Sequence, residues 1–149
     1  MEWLLHTSLY NWPVNEMIKG FNHIGICVRN IDDTLAKMEK TMGAKLLSRT
    51  EYPDRHQVSA IVVLPDGCSK FELMEPIGEE GTVAKFLAKK GEGLHHISLL
   101  TDDVAETCDV FEEAGCPAIS KTTGLAFISP KTTGGVLYEL ADGKFKKDK

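Results

Sequence analysis

One stretch of this sequence is written twice, and that duplication limits the possible folds more than any other feature. Residues 22–28 read Asn-His-Ile-Gly-Ile-Cys-Val, and residues 95–100 read His-His-Ile-Ser-Leu-Leu. Each run leads into an acidic turn and then a helix-like segment: His23-Ile24 precedes Ile31-Asp32-Asp33, and His96-Ile97 precedes Asp102-Asp103-Val104. The ends of the two units echo each other as well, as Phe71-Glu72-Leu73 and Tyr138-Glu139-Leu140. The histidines lie 73 residues apart (96 minus 23) and the glutamates 67 apart (139 minus 72). Each half thus opens with a histidine on a strand and closes with a glutamate on a strand.

The local patterns fill in the unit. Strand side chains alternate faces, so a strand over about 21–28 puts Ile24, Ile26 and Val28 on one face and His23, Gly25 and Cys27 on the other. Helical spacing of Ile31, Leu35, Met38 and Met42 follows, with Gly43 as the C-terminal stop. Strands are expected near 45–51, 58–64 and 69–75, parted by turns at Pro53-Asp54 and Pro65-Asp66-Gly67. After a short helical piece with Val83, Phe86 and Leu87, the plan repeats. A strand over 94–100 puts His96, Ser98 and Leu100 on one face. A capping box joins Asp103 and Glu106. An apolar stripe of Val104, Cys108, Phe111 and Ala114 ends at Gly115. Strands near 117–120, 125–129 and 135–140 complete the unit. The fold class is therefore α+β: two βαβββ modules pair into a cupped mixed sheet with helices outside. The boundaries are an N-terminal arm (1–20), one domain (21–142) with repeats over about 21–76 and 94–142 and a connector (77–93), and a tail (143–149).

Composition narrows the function. A chain of 149 residues, 42% apolar and 26% charged, makes one ordinary domain with a sizeable core. A net charge of −5 argues against nucleic acid as a partner. No run reaches the roughly 18 apolar residues of a membrane span, and no signal-peptide pattern opens the chain. Cys27, Cys68, Cys108 and Cys116 lack metal-finger spacing; they read as thiols of a reducing compartment, so a cytoplasmic location is expected. The arm, with Trp3 and Trp12, is expected to pack on the domain or on a second subunit. The lysine-rich tail reads as a solvated end.

A cup formed this way brings His23, Glu72, His96 and Glu139 to its inner face. A lone strand histidine or glutamate is more often an ordinary polar residue than a ligand, but recurrence of both types at matching points of two repeats favours a metal site. Two imidazoles and two carboxylates suit a divalent ion such as Co²⁺, Ni²⁺, Mn²⁺ or Zn²⁺. His95 has the parity of Ile97 and is expected to face the helix layer. His56 reads as a surface residue of its turn, and His6 carries no signal. Lys85, Lys89 and Lys90 read as a solvated helix face rather than an anion site, and Gly134-Gly135 as a turn.

With these residues in place, the chain resembles the vicinal oxygen chelate superfamily, which includes glyoxalase I and the bleomycin resistance proteins. Within it the chain is most similar to the methylmalonyl-CoA epimerases. The resemblance spans about residues 21–142. It rests on Asn22-His23-Ile24-Gly25-Ile26, on Phe71-Glu72-Leu73-Met74-Glu75-Pro76, on the connector from Thr82 that ends Gly91-Glu92-Gly93-Leu94-His95-His96-Ile97, and on Pro130 to Leu140. It implies that His23, Glu72, His96 and Glu139 bind the metal and that Glu139 also transfers protons. The reaction it implies is epimerisation of a 2-substituted acyl-CoA thioester through a metal-stabilised enolate, by a homodimer. The alternatives are a glyoxalase I-type isomerase and a non-catalytic, drug-sequestering binder. Two departures stand out. A glutamate that several epimerases carry on the strand after the proline turn falls at Ala60, leaving His56, Gln57 or a water as candidates for the second acid or base. The segment between Gly115 and Phe127 is also shorter than in those enzymes.

Overall fold

The computed structural model describes residues 17–144; most of the arm, with Trp3, His6 and Trp12, and the tail from residue 145 lie outside them. In chain order the elements are β1 (Ile18–Cys27), α1 (Ile31–Met42), β2 (Lys45–Tyr52), a 3-10 turn (Pro53–Arg55), β3 (Gln57–Val63) and β4 (Lys70–Pro76), then α2 (Gly81–Lys90), β5 (Gly93–Thr101), α3 (Val104–Glu113), β6 (Ala118–Thr122), β7 (Leu125–Ile128) and β8 (Tyr138–Ala141). The eight strands form one mixed sheet in the order β2-β3-β4-β1-β5-β8-β7-β6. Parallel pairing of β1 with β4 is matched by parallel pairing of β5 with β8, and the two repeats meet at the antiparallel β1–β5 seam. The sheet stays open, since β2 and β6 each pair on one side only.

Helix boundaries follow from local chemistry. Asn30 caps α1 by accepting the Asp33 N–H, and Gly43 ends it at φ 66°, a left-handed conformation that favours glycine. Asp103 caps α3 in the same way, accepting the Glu106 N–H at 3.0 Å. Ala114 is exposed and forms the C-cap, so it leaves the expected apolar stripe: α3 ends at Glu113, one residue before it. The strand expected from 135 begins at Tyr138 instead, because the chain turns through Gly134 and Gly135, both at positive φ.

Two cores lie on the outer face. Ile31, Leu35 and Met38 of α1 pack on Val58, Ala60, Val62 and Leu73. Val104 and Cys108 of α3 pack on Ala126, Ile128 and Leu140. Burying aliphatic side chains of this size contributes about 1.5–3 kcal/mol each. The third helix does something different. Val83 and Leu87 of α2 cover Cys27 and Met74, which share a sheet face with Gly25 and Glu72, so α2 closes one end of the inner face.

Candidate metal centre

All four ligand candidates come from the middle of the sheet: His23 from β1, Glu72 from β4, His96 from β5 and Glu139 from β8. Leu73 and Leu140 anchor the glutamate strands in the outer cores, and alternation turns Glu72 and Glu139 inward. Four ligand atoms, one from each side chain, lie within 4.8 Å of one another. His23 Nε2 is 3.0 Å from His96 Nε2, 3.2 Å from Glu72 Oε2 and 3.5 Å from Glu139 Oε1. His96 Nε2 is 3.4 Å from Glu72 Oε2 and 3.6 Å from Glu139 Oε2. Ligands about 2.1 Å from one ion stand about 3.0 Å apart at right angles and about 3.4 Å apart in a tetrahedron. The donor set and its spacing therefore fit a divalent cation.

The histidines are delivered by a device that strand alternation does not reveal. Along the β1–β5 seam, Phe21 pairs with Leu99 and His23 with Ser98, so Asn22 is an extra residue on β1. Further along, Gly25 pairs with His96 and Ile26 with Leu94, so His95 is extra on β5. Each ligand histidine is thus preceded by a bulged residue, and the two bulges are again 73 residues apart (95 minus 22). The bulge corrects the expectation for His95. It does not join Ile97 under an outer helix but lies with its ring edge-on to Phe86 of α2, and its Nδ1 is 2.9 Å from that of His96.

Ser98 was missed as a site residue. It is fully buried and donates its hydroxyl to Glu139 Oε1 at 2.7 Å, while Asn22 Nδ2 lies 3.4 Å from the same hydroxyl. The available signal was the paired polar residues Asn22-His23 and His95-His96 inside otherwise apolar strands. Ala60 also needs correction. It is fully buried against α1, on the face opposite Glu72, whereas β3 turns Gln57, Ser59 and Ile61 toward the site. His56, at φ 54°, faces Glu80 at 3.6 Å.

Electrostatics match the geometry. Burial alone would raise the Glu72 carboxyl, but the His23 and His96 imidazoles outweigh it and hold Glu72 well below the usual carboxylate range. Burial pulls His96 down, and the Glu72 and Glu139 carboxylates more than reverse that, leaving it raised. Burial, with the His96 charge beside it, lowers His95 to about 4. Burial and the Glu72 charge push the Cys27 thiol up to about 12, so Cys27 is no thiolate ligand at neutral pH.

Two cavities meet at the quartet, and Glu72 and Glu139 border both. One, of about 430 Å³, lies toward α2 and is walled by Met74, Val83, His95, Phe127 and Leu137. The other, of about 330 Å³, is walled by Asn22, Tyr52, Ser59 and Lys70. The profile of the glyoxalase/bleomycin resistance protein/dioxygenase superfamily matches residues 22–127. The chain belongs to that superfamily. It is 35% identical over 130 residues to the uncharacterized protein YqjC of Bacillus subtilis, covering 83% of this chain and 91% of that one. It is 30% identical over 133 residues to the ethylmalonyl-CoA/methylmalonyl-CoA epimerase of Cereibacter sphaeroides, covering 83% and 98%. Methylmalonyl-CoA epimerase from Mycobacterium tuberculosis superposes with a TM-score of 0.79 at 27% identity, covering 89% and 93%. A methylmalonyl-CoA epimerase solved with methylmalonyl-CoA and NH₄⁺ superposes at 0.74 with 28% identity, covering 84% and 94%. Within the superfamily, the relatives thus include acyl-CoA epimerases. Among the described residues, no helix is long and apolar enough to cross a membrane.

Proposed function

We propose that this protein is a divalent-metal-dependent epimerase of a 2-substituted acyl-CoA such as methylmalonyl-CoA. The observation that carries the reading is the quartet itself: two imidazole nitrogens and two carboxylates within 4.8 Å, opening onto a cavity on either side. When bound, the cation supplies Lewis-acid stabilisation to oxygens flanking an acidic C–H. His23, His96, Glu72 and Glu139 hold it. Glu139 is also the base: it is buried, it borders both cavities, and Ser98 orients it by donating to Oε1. Ala60 takes no part, because it faces α1.

Proton–deuterium exchange at the α-carbon tests this. Metal-loaded protein in D₂O should exchange the 2-proton of methylmalonyl-CoA, and Glu139→Gln should slow the exchange about 100-fold or more. Absence of exchange with every 2-substituted malonyl thioester would end the reading. Turnover of methylglyoxal with a thiol would favour a glyoxalase I-type isomerase, and purification without stoichiometric metal would favour a binder.

We infer a homodimer in the cytoplasm. Phe21 and Leu94 on the two seam strands are 78% and 72% exposed, and all four cysteines are free. Sedimentation at micromolar concentration checks the dimer.

A further inference from the structure

Moving a proton off one face of a carbon and onto the other takes two groups, and Glu139 is only one of them. The second is not among the residues suggested by position along the chain. Ala60 faces α1, and His56 meets Glu80 and borders neither cavity. Gln57 is an amide, and its Nε2 donates to the Ser59 hydroxyl at 3.0 Å. Ser59 lines the cavity that holds His23, but an aliphatic hydroxyl is a far weaker acid than a phenol. That same wall carries a phenol, Tyr52. Tyr52 ends β2 and Glu139 lies on β8, so the two border one cavity from opposite sides of the β1–β5 seam. Tyr52 is half-buried, and the Arg55 guanidinium carbon stands 5.3 Å from its ring centroid. Burial and the Glu72 charge raise the hydroxyl above its ordinary value of 10.0, with Arg55 pulling the other way, so Tyr52 holds its proton at neutral pH.

Resting on the epimerase reading of the site, we propose that Tyr52 is a second catalytic residue, the acid that protonates the carbon on the face opposite Glu139. Glu139 takes the α-proton and becomes a carboxylic acid, and the C–H electron pair passes into the thioester as an enolate. Tyr52 gives its O–H proton to the same carbon from the other side. The enolate electron pair forms the new C–H bond there, and the centre is inverted. A phenolate is left beside the Arg55 cation and a proton on Glu139; exchange with water removes the one and restores the other, so atoms and charge balance. The opposite epimer uses the same two groups with their roles exchanged. Lys70 also borders this cavity and carries protons, but on a flexible stem, whereas the Tyr52 ring is held against a cation.

The two C2 epimers of methylmalonyl-CoA, each incubated separately with metal-loaded protein in D₂O, test this when deuterium uptake and inversion are followed together. Wild type should label and invert both. Tyr52→Phe removes only the hydroxyl, and it should slow inversion about 100-fold or more. The epimer whose proton faces Glu139 should still take up deuterium in that variant, with its configuration kept, at a rate within a few-fold of wild type. The other epimer should take up almost none. Inversion by Tyr52→Phe at the wild-type rate overturns the role of Tyr52 and leaves the epimerase reading standing. Equal loss of labelling for both epimers overturns it as well, because a merely structural tyrosine would act in that way. Loss of inversion in Lys70→Met, with Tyr52→Phe still inverting, gives the role to Lys70 and overturns it too. Wild type that labels neither epimer ends the epimerase reading, and Tyr52 loses its role with it.

Discussion

The two repeats supply the same ligands but hold them differently. In the first half, Gly25 lies on the inner face beneath His96, and a Cβ built there would overlap the imidazole ring. The matching position 73 residues on is Ser98, which pairs with His23 and keeps a side chain. The His96 side chain is accordingly 2% exposed and His23 11%. Ser98 also fixes Glu139, while Glu72 meets the His23 and His96 imidazoles. The second repeat is thus the braced half of the centre, and the first is the half whose histidine is the more exposed. The two donor pairs match in type, and the residue at the Gly25/Ser98 position is one point where their surroundings differ.

The largest test of this comparison removes one donor from each half. His23→Ala and His96→Ala should each lower metal affinity by more than about 100-fold, read by elemental analysis and chelator competition. Stoichiometric metal in either variant would break the four-donor centre. Next, Gly25→Ser imposes the second half's residue on the first. Overpacking against His96 should destabilise the fold by about 1–3 kcal/mol and strip the metal, read by thermal melting with and without the ion. Normal metal content in Gly25→Ser would show that the ring has room to move. Ser98→Ala should weaken metal binding about 10-fold, because Glu139 loses its donor. His95→Asn, which copies Asn22, should change it only a few-fold.

The smallest expected effect lies in the pH dependence of the metal-free protein. His96 is raised above its ordinary value of 6.5, so its contribution to stability is complete below that pH and fades as pH rises through its folded pKa. Glu72 is lowered below its ordinary 4.5, so its contribution is present above that pH and fades as pH falls through its folded pKa. Metal-free protein should therefore melt highest in the mildly acidic window between them. Metal-loaded protein should instead gain as pH rises and His96 gives up its proton to metal binding. Parallel profiles for the two forms would overturn the assignment of His96 to the centre.

Much of this was legible in the residues. The inward parity of Glu72 and Glu139 follows from Phe71, Leu73, Tyr138 and Leu140, which all reached the outer cores. The α1 stop at Gly43 and the α3 cap at Asp103 follow from single-residue chemistry. The bulges at Asn22 and His95 were not legible, because one extra residue shifts the parity of a strand without changing its composition. That shift misplaced His95. Nor did the Val83–Leu87 stripe show which face of the sheet α2 covers, since a helix buries its apolar side equally well on either. Ala60 was matched by position along the chain, and alternation places it on the wrong face for chemistry.

The seam has a consequence for the molecule as a whole. Each repeat brings one nitrogen and one oxygen donor, so neither can hold a cation unaided, and a bound ion would bridge residue 23 to residue 139 like a reversible cross-link. Free metal at about 100 times its dissociation constant would add about 2.7 kcal/mol to unfolding. Chelation would then loosen the join between the halves before either outer core melts.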